Sequence, residues 1–89
     1  MNSLETEKYY DKLIELTHKN ELIWHPFVPY RHGEFKSERN GVFITLESMG
    51  FVVNDYKRYY YTGNEKKHKE LVDLIQKQLT DDALNKFFA

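Results

Sequence analysis

Two stripes of apolar residues with helical spacing, one near each end of the chain, flank a central region in which apolar and polar positions alternate. The first stripe follows the i, i+3, i+4, i+7 spacing of one buried helix face; its members are Tyr10, Leu13, Ile14 and Thr17. It predicts a helix over residues 4–19 that is capped by Asn2 and stopped by Asn20. The second stripe consists of His68, Leu71, Val72, Ile75 and Leu79. It predicts a second helix that begins at a capping box formed by Thr62 and Glu65.

The segment after the second stripe predicts a separate turn of helix. Thr80, Asp81 and Asp82 are suited to cap it, because carboxylates are favourable at the positive end of a helix. The segment carries three large apolar side chains: Leu84, Phe87 and Phe88. We expect them to dock back onto the body of the protein, with a dimer contact through the two phenylalanines as the alternative.

Between the two stripes, Asn40-Gly41 separates two runs of β-prone residues, which is the strongest short-range signal of a type I′ hairpin. A two-residue turn fixes the register, with the pairs Arg39–Val42, Ser37–Ile44 and Phe35–Leu46. Because side chains alternate between the two faces along a strand, four apolar residues are assigned to the core-facing side of the sheet. They are Phe35, Val42, Ile44 and Leu46. The opposite side receives Lys36, Glu38, Phe43, Thr45 and Glu47.

The segments on either side of this hairpin are less regular. Leu22-Ile23-Trp24 predicts a short strand that lies at the sheet edge or ends at Pro26, because proline cannot donate to a ladder. Residues 25–34 hold two prolines and a glycine and predict a loop. For the aromatic-rich run that follows the hairpin, two arrangements stay open. Either Asn54-Asp55 turns a second hairpin, or Gly50 carries the turn and the rest forms one bulged strand.

These elements predict an α+β domain of two layers. A helix, three or four strands and a helix follow one another, in α-β-β-β-α order, and short turns between the strands make the sheet antiparallel. The N- and C-terminal helices then pack on one face and leave the other face to solvent. A chain of 89 residues fits a single small globular domain, 1–89.

Composition narrows the classes of function. The chain has no cysteine, so disulfides and cysteine-based zinc sites are excluded. The formal net charge of −1 argues against a general nucleic-acid binder, which carries a basic excess. The first residues do not form a signal peptide, and apolar runs are far too short to span a bilayer. We therefore expect a cytoplasmic protein without a membrane partner.

No motif in the sequence specifies a reaction. The serines stand in no nucleophile-elbow motif, and the glycines form no phosphate-binding run. His18, His25 and His32 are evenly spaced, but zinc needs converging ligands and no metal-binding motif is present. We therefore expect no enzymatic activity, no cofactor and no metal site.

The loop over residues 25–34 and the residue before it supply a candidate protein-binding surface. Trp24, Tyr30 and Arg31 are of the types enriched at interface hot spots. Prolines stiffen such a loop and lower the entropy lost on binding. For Trp24 the alternative is a place in the core.

The strand over residues 57–61 supplies the alternative binding surface. If Tyr59 and Tyr61 face the core, their neighbours on the strand face solvent, where aromatic and basic side chains would suit single-stranded nucleic acid. The residues of this aromatic and basic face are Lys36, Phe43, Arg58 and Tyr60. The simpler interpretation is that the tyrosines form the core of a small sheet.

The arrangement resembles small uncharacterised proteins of low-GC Gram-positive bacteria and their prophages, in which a helix runs into a tryptophan and a hairpin with an Asn-Gly turn follows. The matching segments are Leu13 to Trp24 and Phe35 to Leu46. The resemblance implies a bacterial or phage origin, and it implies no activity. The leading hypothesis is a non-enzymatic protein–protein interaction or regulatory module, monomeric or homodimeric, with an unidentified protein partner.

Overall fold

In a computed structural model of the protein, which describes residues 3–26, 34–54 and 58–89, two helices cover one face of a five-stranded antiparallel sheet. The helices are α1 (Ser3–His18) and α2 (Glu65–Phe88). The strands are β1 (His25–Pro26), β2 (Phe35–Arg39), β3 (Val42–Glu47), β4 (Gly50–Val53) and β5 (Arg58–Tyr61). The predicted α+β fold is confirmed, with five strands in place of three or four.

The sheet is a meander in which the strands lie side by side in chain order, β1-β2-β3-β4-β5. Asn40 and Gly41 have φ of 55° and 80°, the positive values that a type I′ turn needs. The turn sets the predicted register between β2 and β3, with the pairs Arg39–Val42, Ser37–Ile44 and Phe35–Leu46. The hairpin and its two faces are therefore confirmed.

Of the two arrangements that the sequence left open after this hairpin, the structure has two separate strands, β4 and β5, and not one bulged strand. Ser48 and Met49 turn β3 into β4, which begins at Gly50. A Cβ built on Gly50 would collide with the backbone carbonyl oxygen of Tyr60, so only glycine fits between the strands there. Asn54, at φ 51°, then begins a second connection, and β4 and β5 pair as separate strands in place of one bulged strand.

The core lies between the helices and the sheet. It is one cluster of buried side chains: Tyr10, Leu13, Leu22, Trp24, Phe35, Leu46, Phe51, Leu71 and Ile75. The predicted stripes of α1 and α2 both contribute to it, since a helix packs through residues spaced three and four apart. Four aromatic side chains, Tyr10, Trp24, Phe35 and Phe51, give this short chain a large part of its buried apolar area, which partly compensates for the thin core of a small domain.

The two helices run parallel to each other. Near the start of α2 and the middle of α1, Lys67 Nζ lies 2.7 Å from Asp11 Oδ1. Near the end of α1, Gln78 Nε2 donates to the carbonyl oxygen of Thr17 at 3.3 Å. Because α2 continues to Phe88, it extends beyond α1 by about 15 Å, at a rise of 1.5 Å per residue. This overhang contributes to the longest dimension of the molecule, 46 Å.

Asn20 ends α1 as predicted. It adopts the left-handed conformation, with φ 60°. The amide of Glu21 donates to the carbonyl oxygen of Leu16 at 2.9 Å, and the amide of Asn20 donates to that of Thr17 at 3.0 Å. These two bonds are the pair that defines a Schellman motif.

The start of α2 differs from the prediction. Asn64 is the N-cap, and its Oδ1 accepts hydrogen bonds from the amides of Lys66 at 3.0 Å and Lys67 at 3.3 Å. Thr62 lies two residues too early for that role and instead bonds through its hydroxyl to the backbone of Asn64. The predicted cap of α1, Asn2, lies outside the described residues.

The predicted strand at Leu22-Ile23-Trp24 is displaced along the chain to His25–Pro26, which the sequence assigned to the loop. Leu22 and Trp24 belong to the core cluster. The amide of Trp24 donates to Gln78 Oε1 at 3.1 Å rather than to a neighbouring strand. Side-chain hydrogen bonds from α2 therefore take the place of a ladder in this segment.

The predicted separate turn after Leu79 is wrong, because α2 is one continuous helix to Phe88. No glycine or proline interrupts residues 65–88. Two ion pairs at i, i+4 spacing support the far end, Lys77–Asp81 at 3.0 Å and Lys86–Asp82 at 3.1 Å. The acidic residues therefore lie inside the helix and do not cap a new one.

Candidate protein-binding site

The predicted binding loop is only partly covered by the described residues. Trp24 is 1% exposed, so its ring belongs to the core and offers no contact surface to a partner. Its Nε1 donates to Thr17 Oγ1 at 2.9 Å, which satisfies the indole inside the core. Tyr30 and Arg31 lie outside the described residues, and their role stays a prediction.

The four residues of the predicted nucleic-acid face lie on opposite sides of the sheet. Lys36 and Phe43 project from the open side, away from the helices. Tyr60 pairs with the core residue Phe51 across β4 and β5, and their rings stack at 4.9 Å. Arg58 shares the helix-facing side with Tyr60 and donates to its hydroxyl at 3.3 Å. The structure therefore does not bring the four residues together.

The four residues are separated because side chains alternate between the two faces along β5. Tyr59 and Tyr61 share a face, as predicted, and their ring centroids are 4.5 Å apart. That face is the open one, because Gly50 pairs with Tyr61 and so shifts the strand by one residue relative to the expected alternation. The open face also carries Glu38 and Glu47, so it lacks the basic excess that phosphate binding uses.

An apolar groove of about 310 Å³ lies beside α1 on the helix-facing side of the sheet. Helix α1 covers only part of this side, and strands β3, β4 and β5 extend beyond it. Seven side chains line the walls of the groove: Tyr9, Lys12, Leu16, Val42, Ile44, Val53 and Tyr60. We call this feature the α1 groove. The buried side chains of Leu13 and Phe51 form its floor.

The α1 groove lies on the flank of α1 that faces away from α2. Tyr9, Lys12 and Leu16 follow i, i+3, i+7 spacing along this flank. Glu7 and Asp11, on the other flank, face Lys67 of α2. The groove is therefore open to solvent and is not filled by the second helix.

The polar groups around the groove are already partnered within the chain. Lys12 Nζ lies 2.9 Å from Glu15 Oε1, and this pairing lowers the pKa of Glu15. The hydroxyl of Tyr9 donates to Glu5 Oε1 at 3.2 Å, and this hydrogen bond raises the pKa of Tyr9. The groove thus offers an apolar floor and aromatic walls, with no side chain poised as a nucleophile or general base.

A second apolar surface lies on the overhanging end of α2. Leu84, Phe87 and Phe88 are 52%, 80% and 79% exposed, and the two phenylalanine rings contact each other at 5.1 Å. We call these three residues the distal patch. Their predicted docking onto the body is wrong, because Leu84 lies nine positions after the buried Ile75. At 3.6 residues per turn that is about two and a half turns, which places Leu84 on the opposite side of the helix.

Sequence reasoning missed the α1 groove and misplaced the distal patch. Tyr9 and Leu16 flank the main stripe of α1, and they widen its apolar surface beyond what one partner helix covers. For α2, the apolar residues after Leu79 lie on a different side of the helix from the stripe that ends at Leu79, and this difference was the signal of an exposed patch. Counting the helical period through Leu84 would have found it.

Within residues 3–26, 34–54 and 58–89, no group of three histidine, cysteine or acidic side chains is arranged to hold a metal ion. Over the same residues, neither helix has the length and apolar character needed to cross a membrane. Comparisons of the chain with protein-family models, with curated proteins and with solved structures found no match.

Proposed function

We propose that this protein is a non-enzymatic interaction module that binds an apolar segment of a protein partner in the α1 groove. The observation that carries the proposal is the incomplete cover of the sheet. Val42 is 39% exposed and Tyr9 is 42% exposed, although Val42 lies on the helix-facing side of the sheet and Tyr9 contacts the sheet from α1. Apolar surface left open beside a core is typical of binding grooves.

The shape of the groove favours an amphipathic helix or an apolar strand as the bound segment. One wall is a helix and the other is a sheet surface, so a third element can lie between them and bury its apolar side. The exposed edges of Tyr9 and Tyr60 supply aromatic contacts with little loss of conformational entropy. The ring centroids of these two tyrosines are 5.1 Å apart in an edge-to-face arrangement, which holds the wall in shape before binding.

The direct test is selection from a displayed library of amphipathic peptides against the immobilised protein. We expect groove-binding peptides with apolar residues at helical or alternating spacing. Val42→Glu should weaken their binding at least about tenfold, because it places a carboxylate in an apolar site. The matched control is Phe43→Glu, which changes the next residue of β3 on the open side of the sheet, where Phe43 is 52% exposed. Peptides that bind Val42→Glu as well as the unchanged protein would sink the proposal.

A titration with a single-stranded oligonucleotide at low salt distinguishes nucleic-acid binding from peptide binding in the α1 groove. Charge attraction to phosphate is strongest under that condition. We expect no binding. Binding that Lys36→Glu weakens and Val42→Glu leaves unchanged would favour the open face of the sheet over the α1 groove.

A further inference from the structure

We infer that the segment bound in the α1 groove is the distal patch of a second copy of this chain, and that two copies exchange patches around a two-fold axis. The inference rests on the proposed function of the groove and names its partner. It begins from the presence of two unpartnered apolar surfaces on one small molecule. One is concave, between α1 and the sheet, and the other projects from the end of α2.

The two surfaces cannot meet within one copy. The α1 groove lies on the flank of α1 that faces away from α2, whereas Lys67 and His68 of α2 contact the opposite flank. The distal patch lies beyond the end of α1 and points away from the core. A contact between groove and patch therefore requires a second molecule.

The volume of the α1 groove matches the volume of the aromatic rings in the distal patch. An apolar cavity of about 150 Å³ holds one benzene ring. The α1 groove, at about 310 Å³, therefore has room for two phenyl rings. Phe87 and Phe88 supply two rings that already contact each other edge to face at 5.1 Å. Tyr9 and Tyr60 border the groove and offer them further edge-to-face contacts.

The buried area explains why the exchange is reciprocal. Two largely exposed phenylalanines and a half-exposed leucine amount to about 400 Å² of patch. If the patch covers an equal area of the groove and of the surface around it, one contact buries about 800 Å². That is the size of a weak packing contact, whereas stable interfaces bury about 1,600 Å². A two-fold axis forms the contact twice and reaches this size, and it also closes the assembly at two copies.

Charge does not oppose the contact. The ionised residues that flank the patch are paired along the helix, Lys77 with Asp81 and Lys86 with Asp82. The patch therefore brings no net charge to the groove. Lys12, at the rim of the groove, is paired with Glu15.

The mass of the full chain in solution tests the inference, measured by sedimentation equilibrium over a wide range of concentration. We expect a dimer. Replacing Phe87 and Phe88 by serine should weaken it at least about thirtyfold, as for other buried aromatic anchors. Val42→Glu should have a comparable effect, and Phe43→Glu should have none. An equal mixture of Val42→Glu and the double-serine variant should associate more strongly than either alone, because one patch and one groove remain compatible.

A spin label locates the contact. The chain has no cysteine, so Asn85→Cys accepts a label at one site, beside the patch and outside it. Mixed with an isotope-labelled second copy, it should broaden the amide signals of Val42 and Ile44 more strongly than those of Lys69 and Asp73, which are exposed on α2. A monomer at all concentrations, a larger assembly, or a dimer that Val42→Glu leaves intact overturns the inference. If peptides still bind the groove of a monomeric chain, the proposed function stands and only the partner is wrong.

Discussion

The hydrogen bond between Tyr10 and His68 joins two titratable side chains across the interface of α1 and α2. Tyr10 Oη and His68 Nδ1 are 2.7 Å apart. Burial lowers the pKa of His68 from its ordinary value of 6.5, and burial raises the pKa of Tyr10 to about 12. Both shifts favour the neutral form in the folded state, so the pair is stable as a neutral hydrogen bond inside the helix interface.

His68 should therefore make the stability of the protein depend on pH in the mildly acidic range. Above pH 6.5 the histidine is neutral in both the folded and the unfolded chain, and its contribution is fully present. As the pH falls below 6.5, the unfolded chain takes up a proton before the folded chain does, so the free energy of unfolding decreases until the lowered folded pKa is passed.

The measurement is urea unfolding between pH 7.5 and pH 5, compared for the unchanged protein and His68→Gln. The variant should be less stable by about 1 kcal/mol at pH 7.5, because it loses a half-buried hydrogen bond. Its stability should fall less between the two pH values. His25→Gln is the control, since His25 is exposed on β1. Equal pH dependence of His68→Gln and the unchanged protein would contradict the role of His68.

At the scale of the elements, glycine has a different task in each of the two turns that frame β3. Gly41 has φ 80° and no atom within 4 Å of the place where a Cβ would be. Gly50 instead lies against the backbone of β5, where a Cβ would meet the carbonyl oxygen of Tyr60. A side chain at Gly41 is strained only by its own backbone, whereas one at Gly50 must push two strands apart.

Alanine substitution should separate these two tasks. Gly41→Ala is expected to cost about 1–2 kcal/mol, the penalty for a left-handed alanine. Gly50→Ala is expected to cost about 3 kcal/mol or more, because it overpacks a paired strand and loosens the contact between β4 and β5. Chemical denaturation of the two variants gives both values. A cost for Gly41→Ala that equals or exceeds that for Gly50→Ala would show that close approach is not the constraint.

The elements that the sequence predicted well are those fixed by local chemistry. Asn40-Gly41 permits one tight turn, and that turn determines every pair of β2 and β3. Asn20 ends α1 for a similarly local reason. The face of Tyr60 was not predictable in this way. It depends on which residue of β5 pairs with Gly50, and a shift of one residue moves every side chain to the other face.

The candidate site was harder to predict than the elements, because it arises from how they are placed. Val42 and Ile44 were assigned to the core-facing side, which is correct. Whether a helix covers them depends on the lateral position of α1, which no local pattern specifies. The prediction for the residues of the distal patch was wrong for another reason. A short chain with few core residues suggests that every phenylalanine is needed inside, yet Phe87 and Phe88 are both exposed.

At the scale of the whole molecule, Gln78 and Trp24 tie the helices to the segment that leads into the sheet. The Nε2 of Gln78 donates to the carbonyl oxygen of Leu22 at 2.8 Å, and its Oε1 accepts from the amide of Trp24. The indole of Trp24 reaches Thr17 of α1, and the hydroxyl of Ser37 of β2 bonds to the carbonyl oxygen of Ile23. The connection between helix and sheet is thus held by buried and part-buried hydrogen bonds as well as by apolar packing.

Because Trp24 is the single tryptophan and contacts both layers, its fluorescence should report the unfolding of the whole domain. We expect the urea transition followed by tryptophan fluorescence to coincide with that followed by far-ultraviolet circular dichroism, with a slope of about 1 kcal/mol per molar urea, typical of a small domain.

Replacing Phe87 and Phe88 by serine, measured at a concentration where that variant is monomeric, should leave both midpoints nearly unchanged, since the distal patch lies outside the core. Gln78→Ala should lower both midpoints together and reduce the free energy of unfolding by about 1–3 kcal/mol, because it leaves a part-buried amide and a part-buried carbonyl without these partners. A fluorescence change that precedes the loss of helix would instead mean that the segment around Trp24 opens on its own, and that helices and sheet are not one cooperative unit.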